Sequence, residues 1–230
     1  MTEERSSQII TFPSKKCVKR TRKSGGRIKS VDGVKYFNAQ QIKMIRRAVR
    51  DQAELDIQNG NVTGIREWMV IDLLTSTGLR VSEAANLRCG DLKIGYAESK
   101  IFIQEGKGRL SGHVVITESL RKHFKAFLSW KVKQGEPVGE DDFLFVGQRG
   151  AWTSQAIQQI VKKYLRKCGL YESGKSVHAL RHSYAVELYS KEKDLRAVQK
   201  QLRHVNIQST LVYADVTDET ISDQIKGLWN

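Results

Sequence analysis

Two prolines in 230 residues leave the chain almost free of helix breakers, which favours helical structure. Cysteine is equally scarce. Cys17, Cys89 and Cys168 stand at no metal-ligand spacing and cannot all pair, so they read as reduced thiols of an intracellular protein. No run approaches the length of apolar chain that spans a bilayer, so no membrane span is expected, and no membrane partner. The start, "MTEERSSQII", lacks the basic stretch and apolar block of a signal peptide, so a cytoplasmic protein is expected. Acidic residues are short as well: 25 Asp+Glu face 39 Lys+Arg, a net charge of +14. Such an excess is the footprint of a protein that displaces counterions from nucleic-acid phosphates. Aromatics make up 8% and fall mostly in apolar stretches, which argues against an RNA module built on base stacking. The 40% of apolar residues is enough for a sizeable core at this length.

Residues 1–34 differ from the rest. They carry nine basic residues against three acidic ones, include Gly25-Gly26, and show no hydrophobic period. A flexible basic arm is expected there, with Lys19, Arg20, Arg22 and Lys23 lying along DNA; a merely solubilising tail is the plainer alternative. A single domain is expected over 35–230. In "FNAQQIKMIRRAV" Asn38 reads as an N-cap with Gln41 three residues on, and Ile42, Ile45 and Val49 share a face. "REWMVIDLLTSTG" predicts an apolar helix stopping at Gly78, and "RVSEAANLRCGDL" predicts another, with Ser82 as a plausible cap. The period then shortens. "KIFIQ" and "HVVIT" read as strands joined by the glycine-bounded tip "EGKGRLSG". Helices are expected again over "ESLRKHFKAFLSWKV", over "TSQAIQQIVKKYLRKCG" up to Gly169, and over "VHALRHSYAVELY" and "DLRAVQKQLR". "FLFVG" reads as a short strand and "ETISDQIKGLW" as a final helix. The fold class is mainly α (α+β), a helical domain with a small antiparallel β-sheet.

One helix raises a chemical question. His178, Arg181 and His182 lie among Ala179, Leu180, Ala185, Val186 and Leu188, where an unpaired charge costs several kcal/mol. Their partner is either an acid of this chain or something bound. Arg80 follows a glycine break at a helix start, where free backbone N–H groups favour an anion. Lys107 stands at the hairpin tip, His204 at a helix end, and Tyr213 nine residues after it. None of these surroundings supplies the carboxylate pair of a metal-dependent nuclease. Two arginines, a lysine, two histidines and a tyrosine instead suit metal-free phosphodiester chemistry. A phenol can attack phosphorus, arginine forks can take the charge of the transition state, an imidazole can handle the phenolic proton and a lysine can protonate the leaving 5′-oxygen.

The ordered set "TGLRVSE", "GKG", "HALRHSYA", "LRH" and a tyrosine nine residues on resembles the catalytic domain of the tyrosine recombinases, or phage integrases, across about 36–230. The resemblance implies Arg80 and Arg181 as the arginine pair, Lys107 as general acid, His178 as general base, His204 as the third-position histidine and Tyr213 as nucleophile. His182, where the family commonly has histidine, is expected to give structural support. It also implies double-stranded DNA as partner and a 3′-phosphotyrosyl intermediate, with no cofactor, metal or ATP. Four copies would assemble on paired sites from a monomer or weak oligomer, with accessory DNA-binding proteins possible, at the nucleoid. Integration, excision and inversion are all compatible outcomes. The family usually has glycine where this chain has Arg203, and most members carry an N-terminal core-binding domain. The closer likeness is therefore to the short, fimbrial-invertase type. Arg109, Lys175 and Arg203 are further candidate DNA contacts.

Each residue alone has a plainer explanation. Arg80 could pair with Glu83, Lys107 could be ordinary turn chemistry, and Tyr213 could be a core aromatic, as Tyr184 and Tyr189 are expected to be. His178 and His182 could hold a metal, but Ala179 stands where a zincin needs glutamate. The joint set outweighs these readings. Type IB topoisomerases and telomere resolvases share the chemistry but are larger. A recombinase-derived DNA-binding regulator without strand exchange is the alternative function, and the intact set of six argues against it.

Overall fold

The computed structural model describes residues 35–104, 111–173 and 175–213. Among these residues eight α-helices and five strands run in the order α1 (Ala39–Gln58), α2 (Thr63–Thr77), α3 (Val81–Asn86), β1 (Leu92–Lys93), β2 (Lys100–Ile103), β3 (Gly112–Val115), α4 (Glu118–Lys133), β4 (Val146–Gly147), β5 (Gly150–Ala151), α5 (Ser154–Lys167), α6 (Val177–Glu192), α7 (Leu195–Leu202) and α8 (Gln208–Leu211). The N-terminal arm, the hairpin tip with Lys107 and Arg109, and the final helix expected after Tyr213 lie outside the described residues.

The centre of the fold is α2, which packs against α1, α3, α4, α5 and α6. Its buried Met69, Val70, Ile71, Leu73 and Leu74 occupy every side of the helix, so the helix is stable only when surrounded. The helices around it are amphipathic. α5 turns Ile157, Val161, Tyr164 and Leu165 inward at helical spacing, each contributing about 1.5–3 kcal/mol on burial. α1 starts as its sequence predicts: Asn38 Oδ1 accepts from the Gln41 amide at 2.9 Å, and the Gln41 side chain accepts from the Asn38 amide at 3.1 Å.

Antiparallel β1, β2 and β3 form a three-stranded sheet, with Ile101 opposite Leu92 on one side and Val114 on the other. The sheet is tied to α7 by the Gln201 amide, which accepts from the Val115 N–H at 3.2 Å and donates to the Val115 carbonyl at 2.8 Å. Two expectations change here. The helix expected over "RVSEAANLRCGDL" ends at Asn86, and Cys89–Asp91 form a separate 3-10 turn. Ser82 does not cap α3; it is exposed within the helix, and the cap position is Arg80, whose amide donates to Glu83 Oε2 at 2.7 Å. Glu83 thus makes the return half of a capping box, an N3 carboxylate accepting from the cap amide. The strand expected over "FLFVG" shrinks to Val146–Gly147: Phe143 makes only an isolated bridge to Arg88, and Leu144 and Phe145 lie in the core. Among the described residues no helix is long and apolar enough to cross a membrane.

Candidate active site

Residues far apart in the chain converge where the end of α2, the start of α3, the face of α6 and the end of α7 meet. α2 stops because Gly78 adopts a left-handed φ of +65°. A Cβ there would sit 2.7 Å from Tyr184 Cδ1 and 2.9 Å from Leu202 Cδ2, so glycine is required by space as well as by conformation. The freed carbonyl of Gly78 accepts from Arg181 Nη1 at 2.6 Å, while Arg181 Nη2 donates to the Leu202 carbonyl at 2.7 Å. Arg181 is thus held by two main-chain dipoles, at 6% exposure. Burial, and then the neighbouring Arg80, bring its pKa down to about 10, and it remains charged at neutral pH.

Glu83 joins two further guanidinium groups to this centre. Its Oε1 accepts from Arg80 Nη1 at 2.7 Å and lies 2.5 Å from Arg203 Nη2. Burial alone would raise the Glu83 carboxyl; Arg203, with the amide and side chain of Arg80, outweighs it and holds the group below the usual carboxylate range. Arg203 caps α7 with a left-handed φ of 53°, a conformation glycine adopts without penalty. Its stem crosses the sheet at Gly112, where an added Cβ would come within 2.8 Å of Arg203 Cδ. Arg203, a candidate DNA contact, is turned inward at 8% side-chain exposure. Lys175 is likewise turned in, 3.6 Å from Glu172 and over the Phe37 ring at 4.7 Å.

The three histidines differ. His204 follows the turn at Arg203, its amide donating to the Gln199 carbonyl at 3.0 Å, and its Nδ1 lies 2.9 Å from Thr210 Oγ1. Burial, then Arg181 and Arg80, push its pKa down to about 4, so the ring is neutral and leaves Nε2 for a ligand. His178 is exposed on the first turn of α6. His182, one turn further along the same face, places Nδ1 2.6 Å from the hydroxyl of Tyr213. Burial, then His178 and Arg181, lower its pKa, so this ring too is neutral.

Tyr213 is 4% exposed, its ring packed with Ala185, Val198 and Leu202 in a small satellite core. Burial raises its pKa and Arg181 only partly offsets this, so the phenol keeps its proton until something takes it. Tyr184 and Tyr189 pack against the same cluster, as expected of core aromatics. Arg80, Arg181, His204 and Tyr213 are therefore brought together, with His178 at the rim. Two residues do more than the sequence led us to expect: Glu83, expected only as the plainer partner of Arg80, also holds Arg203, and His182, expected as structural support, touches the Tyr213 hydroxyl. The arrangement offers a docked hydroxyl beside fixed positive charge, suited to nucleophilic attack on an anionic ester. Among the described residues no group of three or more His, Cys, Asp or Glu side chains could hold a metal ion.

Comparison with known proteins gives a consistent picture. The model of the phage integrase family matches residues 35–220. The chain is similar to a tyrosine recombinase of Pseudothermotoga lettingae, 35% identical over 163 residues, covering 71% of this chain and 54% of that protein. It is similar to tyrosine recombinase XerA of Pyrococcus horikoshii, 30% identical over 166 residues, covering 70% and 54%. The fold matches crystal structures of XerA recombinase (TM-score 0.65, 23% identity, 85% of this chain and 65% of that one). It also matches XerH site-specific recombinase bound to difH substrate (TM-score 0.67, 23% identity, 85% and 54%). The chain spans about half the length of these curated relatives.

Proposed function

The chain belongs to the phage integrase family, and from that premise we propose that it is a site-specific recombinase that cuts and rejoins DNA. Arg80 and Arg181 bind the scissile phosphate bidentately, and His204 donates to a non-bridging oxygen through Nε2. Tyr213 attacks phosphorus, leaving a 3′-phosphotyrosyl bond, and Lys107 protonates the departing 5′-oxygen. The 5′-hydroxyl of the same or a partner duplex reverses the step, and the ester conserves the bond energy, so ATP is not required. His178 completes the set at the phosphate. The arm residues Lys19, Arg20, Arg22 and Lys23, with Arg109, follow the DNA backbone, and four copies assemble on a pair of sites. The observation that carries this reading is the Tyr213 hydroxyl, already docked at 2.6 Å from an imidazole and beside the charge of Arg181.

A nicked duplex from which the cut fragment diffuses away traps the intermediate. Duplexes drawn from DNA flanking the gene are incubated in EDTA with the wild type and with Tyr213→Phe. A covalent protein–DNA band on a denaturing gel with the wild type alone is the expected result. A protein that shifts these duplexes but never forms the band favours a DNA-binding regulator or a missing partner.

A further inference from the structure

We propose that His182, through Nδ1, is the group that takes the proton of Tyr213 as the phenolic oxygen attacks phosphorus, the role that family resemblance assigns to His178. This inference rests on the reading of the chain as a strand-cutting enzyme. The contact itself is specific: His182 Nδ1 and Tyr213 Oη lie 2.6 Å apart, with the rings tilted by 52° and their centroids 5.8 Å apart. The His178 side chain makes no hydrogen bond among the described residues and is exposed on the first turn of the helix. A general base must reach the proton it removes, at about 2.6–3.2 Å, and His182 already does.

The direction of that hydrogen bond follows from acidity. A phenol O–H is a stronger donor than a neutral imidazole N–H, and an imidazole nitrogen is a stronger acceptor than a phenolic oxygen, so Tyr213 donates and Nδ1 accepts. The groups facing His182 are His178 and Arg181 on α6, His204 beyond α7, and Tyr213 itself; with burial, His178 and Arg181 keep its ring neutral and ready to accept. In the forward step the Oη–phosphorus bond forms as Nδ1 takes the phenolic proton. The phosphorus–O5′ bond breaks, and its oxygen receives a proton from the general acid, proposed as Lys107. In rejoining, the 5′-hydroxyl loses its proton to that same amine, and the His182 imidazolium returns its own to the departing tyrosine. His178 is then left for the phosphate.

Two measurements on the full chain decide the matter. Nitrogen-15 spectra of the histidine rings in the free protein are expected to show His182 with Nδ1 unprotonated and Nε2 protonated, shifting on Tyr213→Phe. A proton fixed on Nδ1 overturns the proposal, since that nitrogen could not accept another. Single-turnover adduct formation on the nicked duplex is then followed against pH for the wild type, His182→Asn and His178→Asn. Asparagine reproduces the Nδ1 hydrogen bond but cannot act as a base. His182→Asn is expected to slow adduct formation about 10²–10⁴-fold and to lose the acid limb, which lies below the ordinary imidazole value of 6.5. His178→Asn is expected to keep that limb. An His182→Asn protein that keeps both rate and limb refutes the base role while leaving the recombinase reading intact. A wild type that forms no adduct ends both, and the ring spectra still show whether the hydrogen bond exists.

Discussion

Lys131 and Arg181 are both buried cations, and they are treated in opposite ways. Lys131, fully buried at the end of α4, donates to Glu136 Oε2 at 2.7 Å, and the same carboxylate receives Arg66. Arg181, almost as deep, is held by two carbonyl oxygens and by no carboxylate within ion-pair distance among the described residues. A buried charge with a counter-ion is a finished structural element; one held only by dipoles keeps its attraction for an anion from outside. The same contrast separates the flank from the site more widely. On the flank, Asp72 is matched to Arg46 and His123, and Glu67 to Lys163 and Tyr164. At the site three guanidinium groups and two neutral imidazoles gather round Glu83 and an uncharged phenol.

This contrast can be broken from either side. Glu136→Gln should be the most damaging change, costing about 3–5 kcal/mol in chemical denaturation by leaving Lys131 without its counter-ion, with adduct formation at a permissive temperature unchanged. Arg181→Lys should do the reverse. A lysine cannot serve both the Gly78 and Leu202 carbonyls and still offer a fork to phosphate, so single-turnover cleavage should fall about 10²–10³-fold with a smaller loss of stability. Tyr164→Phe removes the 2.6 Å donor to Glu67 and should cost about 1.5–3 kcal/mol by the same unfolding measurement, without touching cleavage.

The smallest effect is a pH dependence. His204 has a folded pKa of about 4 against an ordinary 6.5, so the unfolded chain takes up its proton first. Its contribution is therefore a stability that declines as pH falls from about 6.5 toward 4 and levels off below. Thermal melts between pH 7 and 5 should show this decline, less steeply in His204→Gln.

Local features were legible in the sequence. The Asn38–Gln41 cap, the stop at Gly78, the inward face of α5 and the two longer strands each depend on residues within a few positions of one another. Lys131, four residues after Phe127, falls on the buried side of α4 by spacing alone; its partner beyond the Gly135 turn does not follow from spacing. What escaped depends on pairing across the fold. Arg181 meets Gly78 across 103 positions, and His182 meets Tyr213 across 31. Ser82 had the right chemistry for a cap, but Glu83 had the longer reach and a guanidinium on either side to hold it there. The pairing of Arg203 with Glu83 escaped because nothing local shows that the α7 turn directs its side chain across Gly112.

Gly78 separates the location of a defect from its cause. Its α-carbon faces Tyr184 and Leu202, and its carbonyl holds Arg181. A methyl group there would displace the peptide plane before any reacting atom changed. In a genetic screen, Gly78→Ala would be scored with the nucleophile mutants despite leaving every proton donor and acceptor of the reaction intact. The lesion would be one of alignment, transmitted through a single backbone oxygen.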